Sequence, residues 1–238
     1  MSLYTNLKWD SDFFGFNVAK LNTNNIDDAQ LKATLNELKN KNYKLIYWSV
    51  SPDNYNLNKI AINNKGFLID KKTTYSTNFK DKFIADNNPN IIEYTDSVPN
   101  QELISLALQC GSYSRFKIDK NFIPNRYNDL YSLWINNSLQ KRLADIVFVY
   151  TNNNNLHGLI TLYSVNNIGN IGLIGVDDNY RGKSIGTELI NSAKRYFFNK
   201  NIFIMNVVTQ LDNKIACKFY EKCGFKIIKI ENYYHFWL

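Results

Sequence analysis

G-L-I-G-V-D-D-N-Y-R-G-K-S-I-G-T-E-L-I-N-S-A-K-R-Y-F-F-N, Gly172 to Asn199, changes character twice within one short run. Gly172 to Val176 is apolar or glycine throughout, the pattern of a strand buried on both faces, with glycines that leave its backbone approachable. From Gly186 the period becomes helical. Leu189, Ile190, Ala193, Tyr196 and Phe197 share one face, while Glu188, Lys194 and Arg195 stand among the residues of the other. Between strand and helix, Arg181, Gly182, Lys183, Ser184, Ile185 and Gly186 form a basic turn. Its backbone N–H groups point outward at a helix N-terminus, so the turn is built for an anion such as a pyrophosphate. The spacing is neither G-x-x-x-x-G-K-[ST] nor G-x-G-x-x-G.

Other features of the chain bound what this loop can serve. With 238 residues, 15% of them aromatic, the chain can bury one large core or two small ones. Its 28 Lys and Arg against 21 Asp and Glu give a net charge of +7, which favours an anionic partner. The basic residues are dispersed rather than gathered in a tail, so nucleic acid is not the expected partner. Cys110, Cys217 and Cys223, with only His157 and His235 beside them, indicate neither a disulfide framework nor a metal site. No segment has the length of a signal-peptide core or a membrane span, and the expected location is the cytoplasm.

Along the chain, Leu7 to Phe16 places Trp9, Phe13, Phe14 and Phe16 around Asp10 and Asp12, as an edge strand or turn would. Leu31, Leu35 and Leu38 mark a helix from about Asp28 to Lys41, and Lys44 to Val50 reads as a strand. A helix over Asn58 to Lys65 is closed by Gly66, and a strand starts at Phe67. Residues 71–100 read as a polar connector with one strand near Thr73 to Phe79, so the expected domains are 1–85 and 90–238. Helices are expected over Leu103 to Leu108 and Tyr127 to Leu139. The loop between them interleaves Arg115, Lys117 and Lys120 with Tyr113, Phe116 and Phe122. Strands come next at Ile146 to Tyr150, Leu156 to Ser164 and Ile202 to Val208, with Asn152 to Asn155 and Asn166-Asn167 as turns. Asn213 opens the last helix and Gly224 closes it, leaving Lys226 to Ile230 and Tyr233 to Leu238 as a final hairpin.

A weak internal repeat underlies this order. K-N-Y-K-L-I-Y-W-S-V-S-P-D-N, Lys41 to Asn54, aligns without a gap with K-N-I-F-I-M-N-V-V-T-Q-L-D-N, Lys200 to Asn213. N-K-I-A recurs at Asn58 and Asn213, and Gly66-Phe67 answers Gly224-Phe225, with different gaps. Nothing in the first copy matches R-G-K-S-I-G or Tyr220.

Two motifs carry a family resemblance. R-G-K-S-I-G, after a strand ending in Val-Asp, resembles the acetyl-coenzyme A loop [QR]-x-x-G-x-[GA] of the GNAT superfamily of N-acetyltransferases, with Ser184 in place of the middle glycine. A conformation with positive φ at that position would be disfavoured for serine. N-K-I-A-C-K-F-Y-E-K-C-G-F, Asn213 to Phe225, resembles the family's N-x-x-A-x-x-[FL]-Y-x-x-x-G-F. The resemblance implies an α/β (α+β) GNAT fold: a mixed, mostly antiparallel sheet flanked by helices, with a smaller, degenerate GNAT-like N-terminal half.

The resemblance also implies roles. Ile174, Gly175, Val176, Arg181, Gly182, Lys183, Ser184, Ile185, Gly186, Thr187, Asn213 and Tyr220 are expected to bind acetyl-coenzyme A. Tyr220, seven residues beyond Asn213 and on the same helix face, is expected to protonate the departing thiolate. No metal is implied. Trp9, Asp10, Phe13, Phe14, Arg115, Phe116 and Thr209 are assigned to the acceptor side. Within the superfamily the chain is similar to bacterial dTDP-fucosamine N-acetyltransferases, on W-D-S-D-F-F-G-F, S-R-F at Arg115, and V-V-T-Q-L-D-N. That similarity implies a nucleotide-linked 4-amino-4,6-dideoxy sugar as acceptor, in surface polysaccharide biosynthesis. Neither a nucleic-acid nor a membrane partner is expected, and a homodimer is left open. The alternatives are another amine acceptor (a peptide N-terminus, a polyamine or an antibiotic) and, more remotely, a non-enzymatic basic module that binds nucleic acid. The general base is not selected among Asp10, Asp12, Glu188, His235 and a water chain.

Overall fold

A computed structural model describes residues 3–80 and 88–238. In chain order the elements are β1 (Tyr4–Asn6), α1 (Lys8–Phe14), β2 (Asn17–Leu21), α2 (Asp28–Asn40), β3 (Tyr43–Val50), α3 (Tyr55–Asn63), β4 (Phe67–Asn78) and β5 (Ile91–Glu93). They continue with α4 (Gln101–Cys110), α5 (Arg115–Ile118), α6 (Arg126–Leu139), β6 (Ile146–Asn152), β7 (Asn155–Val165) and β8 (Ile168–Val176). A 3₁₀ turn at Asp178–Tyr180 leads to α7 (Ile185–Phe198), β9 (Ile204–Gln210), α8 (Lys214–Lys222) and β10 (Lys226–Trp237). The chain forms two compact units. One comprises Met1–Thr73, Gln210–Asp212 and Lys229–Leu238, and the other Thr74–Thr209 and Asn213–Ile228. The expected boundary between residues 85 and 90 falls partly on 85–87, which lie outside the described residues.

In the first unit, β2 and β3 pair in parallel, β1 lies antiparallel on β2, and the C-terminal part of β10 lies antiparallel on β3. Leu31, Leu35 and Leu38 form the inner stripe of α2 and pack with Ala19, Ile46 and Trp48 of the sheet and with Leu57, Ile60 and Ala61 of α3. The helix starts where the Asp27 side chain accepts from Gln30 N at 2.8 Å while Gln30 Oε1 accepts from Asp27 N, a reciprocal cap.

Three expectations change in this unit. Leu7 to Phe16 is neither strand nor turn but contains α1. Trp9 and Phe13, four residues apart, stack at 5.3 Å and 3°, and Gly15, at φ 76°, returns its N–H to Ser11 O. The aromatic spacing is therefore helical. Gly66 does not close α3 in a left-handed conformation; Lys65 does, at φ 64°. Gly66 is needed for space, because a Cβ there would stand 2.7 Å from Ala61 O and 2.7 Å from the Phe236 ring. The final segment is the single strand β10 rather than a hairpin. No residue from Lys226 to Leu238 has positive φ, so the chain has no tight hairpin turn there.

The second unit orders its strands β4-β9-β8-β7-β6-β5. Asn153 and Asn154, then Asn166 and Asn167, all have positive φ and make the turns of β6–β7 and β7–β8. Leu189, Ile190, Ala193 and Phe197 of α7 pack with Ile160, Leu162, Ile171, Met205 and Val207 of the sheet, and Cys217, Tyr220 and Phe225 join the same core.

The aligned copies share local geometry. Asn42 and Asn201, the second residues of the two Lys-Asn pairs, have φ of 61° and 57°. Asn54 and Asn213, at the other ends of the alignment, cap α3 and α8 by accepting from Leu57 N at 3.0 Å and Ala216 N at 3.1 Å.

The α3 terminus gives a paired test by urea denaturation. Gly66→Ala is expected to lower stability by about 1–3 kcal/mol, because a backbone oxygen cannot yield to the added methyl. Lys65→Gly is expected to leave stability unchanged or raise it by up to about 1 kcal/mol by relieving a left-handed non-glycine residue. Equal effects of the two variants would show that neither position is limited by local geometry.

Candidate active site

The defining feature of the second unit is where two parallel strands stop pairing. β8 and β9 match at Gly169 with Met205, Asn170 with Asn206 and Ile171 with Val207, yet β8 runs on to Val176 and β9 to Gln210. On the other side of β8, pairing with β7 shifts register between Ile160 and Leu162. Thr161 therefore faces both Gly172 and Leu173, and its Oγ1 accepts from Leu173 N at 2.8 Å. This is a β-bulge, which bends a strand and re-aims its onward path. Gly172 is required there, since a Cβ would stand 2.7 Å from Thr161 Oγ1. The stretch Gly172 to Val176, expected to be buried on both faces, is only partly covered, with Leu173 alone fully buried. The reason is the missing ladder on the β9 side.

Beyond the bulge, β8 delivers the chain to the basic loop. Asp177 N donates to His157 O at 2.9 Å, and the Asp177 carboxylate accepts from Asn179 N at 2.8 Å, forming the 3₁₀ turn. Asp178 N donates to Gln109 Oε1 at 3.2 Å. Gly182 has φ 79°, and Ser184, the residue at the family's glycine position, has φ 62°. Serine thus takes the conformation it disfavours, at a cost of about 1–2 kcal/mol.

Ser184 precedes α7 without capping it through its side chain, and the bond from Glu188 N to Ser184 O, at 3.0 Å, opens the helical ladder. The N–H groups of Ile185, Gly186 and Thr187 lie in the turn before it, where a helix has no internal acceptors. Ile185 turns its side chain into the core, and Thr187 interacts with Cys223, so what these residues offer a ligand is backbone. Gly186 is close-packed: a Cβ would lie 3.1 Å from the Phe219 ring and 3.7 Å from Val176. The Phe219 ring of α8 thus leaves little space for a side chain at this position. Arg181 is held internally by an ion pair with Asp178 and by donation from Nε to Val176 O at 3.3 Å. Lys183 Nζ sits 4.2 Å over the Tyr180 ring.

On α8, Asn213 spends its side-chain oxygen on the helix cap. Tyr220 is 5% exposed, among Tyr75, Phe219 and Phe225 at 5.4 to 5.8 Å between ring centres. Burial raises its pKa above the ordinary tyrosine range, and the neighbouring thiols of Cys110, Cys223 and Cys217 push the same way. It therefore stays a protonated phenol across neutral pH. Cys110 packs on β8 from α4: its sulfur would be 2.6 Å from a Cβ at Gly175. Burial pushes that thiol up to about 12, so it is neutral packing rather than a nucleophile.

The residues assigned to the acceptor divide between the units. Trp9, Asp10, Phe13 and Phe14 belong to the first, and Arg115, Phe116 and Thr209 to the second. Trp9 is 46% exposed and stacked on Phe13, whereas Phe14 is 4% exposed and lies in the core. Arg115 lies in the short helix α5 with its guanidinium 4.5 Å over the Phe116 ring, and Phe116 is itself packed near Phe122 and Trp134. Thr209 is buried near the end of β9. Sequence reasoning missed Thr161, a lone hydroxyl in the apolar run Leu159 to Leu162, and the stack of His157 on Tyr180. Among the described residues, no helix is long and apolar enough to cross a membrane, and no group of three His, Cys, Asp or Glu could hold a metal.

Comparison with known proteins agrees with this geometry. Residues 113–225 match the Acetyltransferase (GNAT) family. Streptothricin acetyltransferase of Escherichia coli is 36% identical over 73 residues, 30% of this chain and 42% of that protein. Spore coat polysaccharide biosynthesis protein SpsD of Bacillus subtilis (strain 168) is 25% identical over 154 residues, 64% of this chain and 53% of that one. The chain thus spans about half the length of these curated relatives or less. A GCN5-related N-acetyltransferase from Sphaerobacter thermophilus superposes with a TM-score of 0.64 at 11% identity, over 98% of this chain and 76% of its own, a likeness of fold alone. The chain has the GNAT fold, and its residues 113–225 match the model of the GNAT acetyltransferases.

Proposed function

We propose that this protein is an acetyl-coenzyme A-dependent N-acetyltransferase whose acceptor is the amino group of a nucleotide-linked 4-amino-4,6-dideoxy sugar, in cytoplasmic assembly of surface polysaccharide. The observation that carries the transferase reading is the β8–β9 ladder ending at Ile171 and Val207, beside a helix N-terminus with free N–H groups and a basic loop. An extended acyl carrier fits along the uncovered edge of Gly172 to Val176, with its pyrophosphate at the first turn of α7. Acetyl-coenzyme A supplies a thioester whose carbonyl carbon the acceptor attacks as a neutral amine. The amine nitrogen gives up one proton to water as the amide forms, and the Tyr220 phenolate left after protonating sulfur takes one back from water.

The chain's residues then have these roles. Ile174, Gly175 and Val176 present backbone to the pantetheine arm and the thioester carbonyl, and an N–H of this stretch polarises that carbonyl. Arg181 through Thr187 hold the pyrophosphate by backbone N–H and by Lys183. Asn213 caps α8 and thereby sets the direction of Tyr220. The Tyr220 hydroxyl gives its proton to the coenzyme A sulfur as the C–S bond breaks, and its raised pKa keeps that proton in place until then. On the acceptor side, the Trp9–Phe13 stack of the first unit offers aromatic faces, and by itself the Arg115–Phe116 pair of the second offers a ring and a cation suited to a base and a diphosphate. The domains proposed are a partial GNAT-like half at 1–85 and the catalytic half at 90–238. The matching caps and left-handed asparagines of the two copies support a common origin.

The polysaccharide role of the Bacillus relative, stated in its name, supports the sugar acceptor. The Escherichia relative favours a second reading, an antibiotic amine. Thiol release from acetyl-coenzyme A in the presence of dTDP- and UDP-linked 4-amino sugars, streptothricin, polyamines and peptides separates them. Turnover is expected on the nucleotide sugars, and turnover on streptothricin alone would reverse the assignment.

Tyr220→Phe removes one hydroxyl from a packed ring. It is expected to lower kcat by ~10²–10⁴-fold with coenzyme A affinity unchanged, measured by stopped-flow and calorimetry. Because burial raises this phenol's pKa, wild-type kcat is expected to show no loss from its ionisation up to about pH 10. Retention of near-normal kcat when chemistry limits turnover would move the acid role elsewhere.

Ser184→Gly and Ser184→Val test the loop conformation. The glycine variant is expected to bind coenzyme A as wild type does, whereas the β-branched one, at φ 62°, is expected to lose about 1–2 kcal/mol of stability and to bind more weakly. The reverse order in thermal melts would show that serine is held there by something other than backbone geometry.

A further inference from the structure

Within the second unit, the loop from Asp177 to Ser184 rests on a feature that neither family motif contains. His157 of β7 is 6% exposed, and its imidazole lies flat on the Tyr180 phenol, 3.5 Å between centres and 15° between planes. Tyr180 in turn carries the Lys183 ammonium 4.2 Å from its centre. The three side chains form one column of imidazole, phenol and ammonium. The backbone fixes the base of this column, because His157 O accepts from Asp177 N at 2.9 Å and Tyr180 N donates to Asp177 O at 2.8 Å. Next to His157, Gly158 lets Ile185 of α7 approach, since a Cβ there would stand 3.0 Å from its methyl. Thus β7, the loop and the start of α7 meet at this column.

The two cations of the loop are differently employed. Arg181 is committed to Asp178 and to Val176 O. Lys183 is exposed, and its ammonium rests over the tyrosine face. A free lysine has four rotatable bonds and loses much rotamer entropy when it fixes on an anion. A ring beneath the ammonium restricts it beforehand without neutralising its charge, which leaves its N–H donors for phosphate.

We propose that His157 and Tyr180 are positioning residues, a stacked platform that holds Lys183 in place for the diphosphate of the acyl donor. The proposal rests on the acetyl-coenzyme A reading of the loop and adds to it a specific division of labour: Arg181 braces the loop and Lys183, pre-ordered by Tyr180 on His157, contacts the anion. Neither His157 nor Tyr180 touches the reacting atoms, so their loss is expected in donor affinity and KM and not in kcat.

A double-mutant cycle tests the coupling, with coenzyme A as the titrant in calorimetry. Lys183→Ala is expected to weaken binding about tenfold and Tyr180→Leu about threefold. The double variant is expected to lose about tenfold rather than the roughly thirtyfold product of independent effects. Tyr180→Phe keeps the ring and is expected to bind as wild type does, and His157→Leu is expected to resemble Tyr180→Leu. Amide exchange in the unliganded protein supplies a second readout. Tyr180→Leu and His157→Leu are expected to speed exchange over residues 180–186 and to leave α8 unchanged, which also shows that the variants fold.

Multiplying effects in the cycle, or loop exchange unchanged in both variants while wild type binds coenzyme A, would overturn the platform alone. Failure of wild type to bind coenzyme A would overturn the acyl-donor reading and, with it, this role for the column.

Discussion

A parallel strand pair that stops exchanging hydrogen bonds part-way along its length leaves a row of backbone donors and acceptors that something must satisfy. In this protein the interruption comes after Ile171 and Val207. It is accompanied by the bulge at Gly172 and Leu173, which takes the Leu173 N–H out of the ladder and gives it to Thr161. The bulge bends β8 away from its former partner, and β7 keeps the other edge of β8 paired to Val176. The result is a strand anchored on one side and open on the other, which is the requirement for adding an extended ligand by backbone contacts.

Around that edge lie a basic loop, a helix start and a buried phenol. The 3₁₀ turn and two left-handed residues, Gly182 and Ser184, turn the chain so that α7 starts with its N–H groups unoccupied. Packing of Phe219 against Gly186 ties α8 to this helix start, and the next residue along α8 is Tyr220. A single contact therefore relates the start of α7 to the phenol. The burial that raises the Tyr220 pKa is the same burial that fixes its ring among Tyr75, Phe219 and Phe225. Stability and protonation state have a common cause here.

The two aligned segments share local backbone features and differ in their side chains. Both retain a left-handed asparagine ahead of the strand and an asparagine cap after it, features that specify backbone path. Only the second copy has a glycine-containing basic loop ahead of it and a buried tyrosine on the capped helix; the tyrosine of α3, Tyr55, is exposed. Caps and turns are local solutions to unpaired backbone groups, so they persist wherever the strand and helix do.

Much of this was determined by the sequence itself. Period separates β8 from α7, and the asparagines of the Lys-Asn and Asp-Asn pairs mark turns and helix caps, because each depends on neighbours a few residues apart. Where reading the sequence failed, the deciding partner was distant or the signal was overlooked. Trp9, Phe13 and Gly15 carry helical spacing that the aromatic cluster concealed, and β10 continues as one strand because no residue there turns. Only the tertiary structure could show that Gly66 makes room for Phe236 and Gly186 for Phe219, and that Ser184 takes a glycine's conformation. The same holds for the end of the β8–β9 ladder and for His157 under Tyr180. Local spacing fixes which groups a segment offers, but strand divergence and ring stacking are made by residues far apart in the chain, whose approach no period or motif encodes.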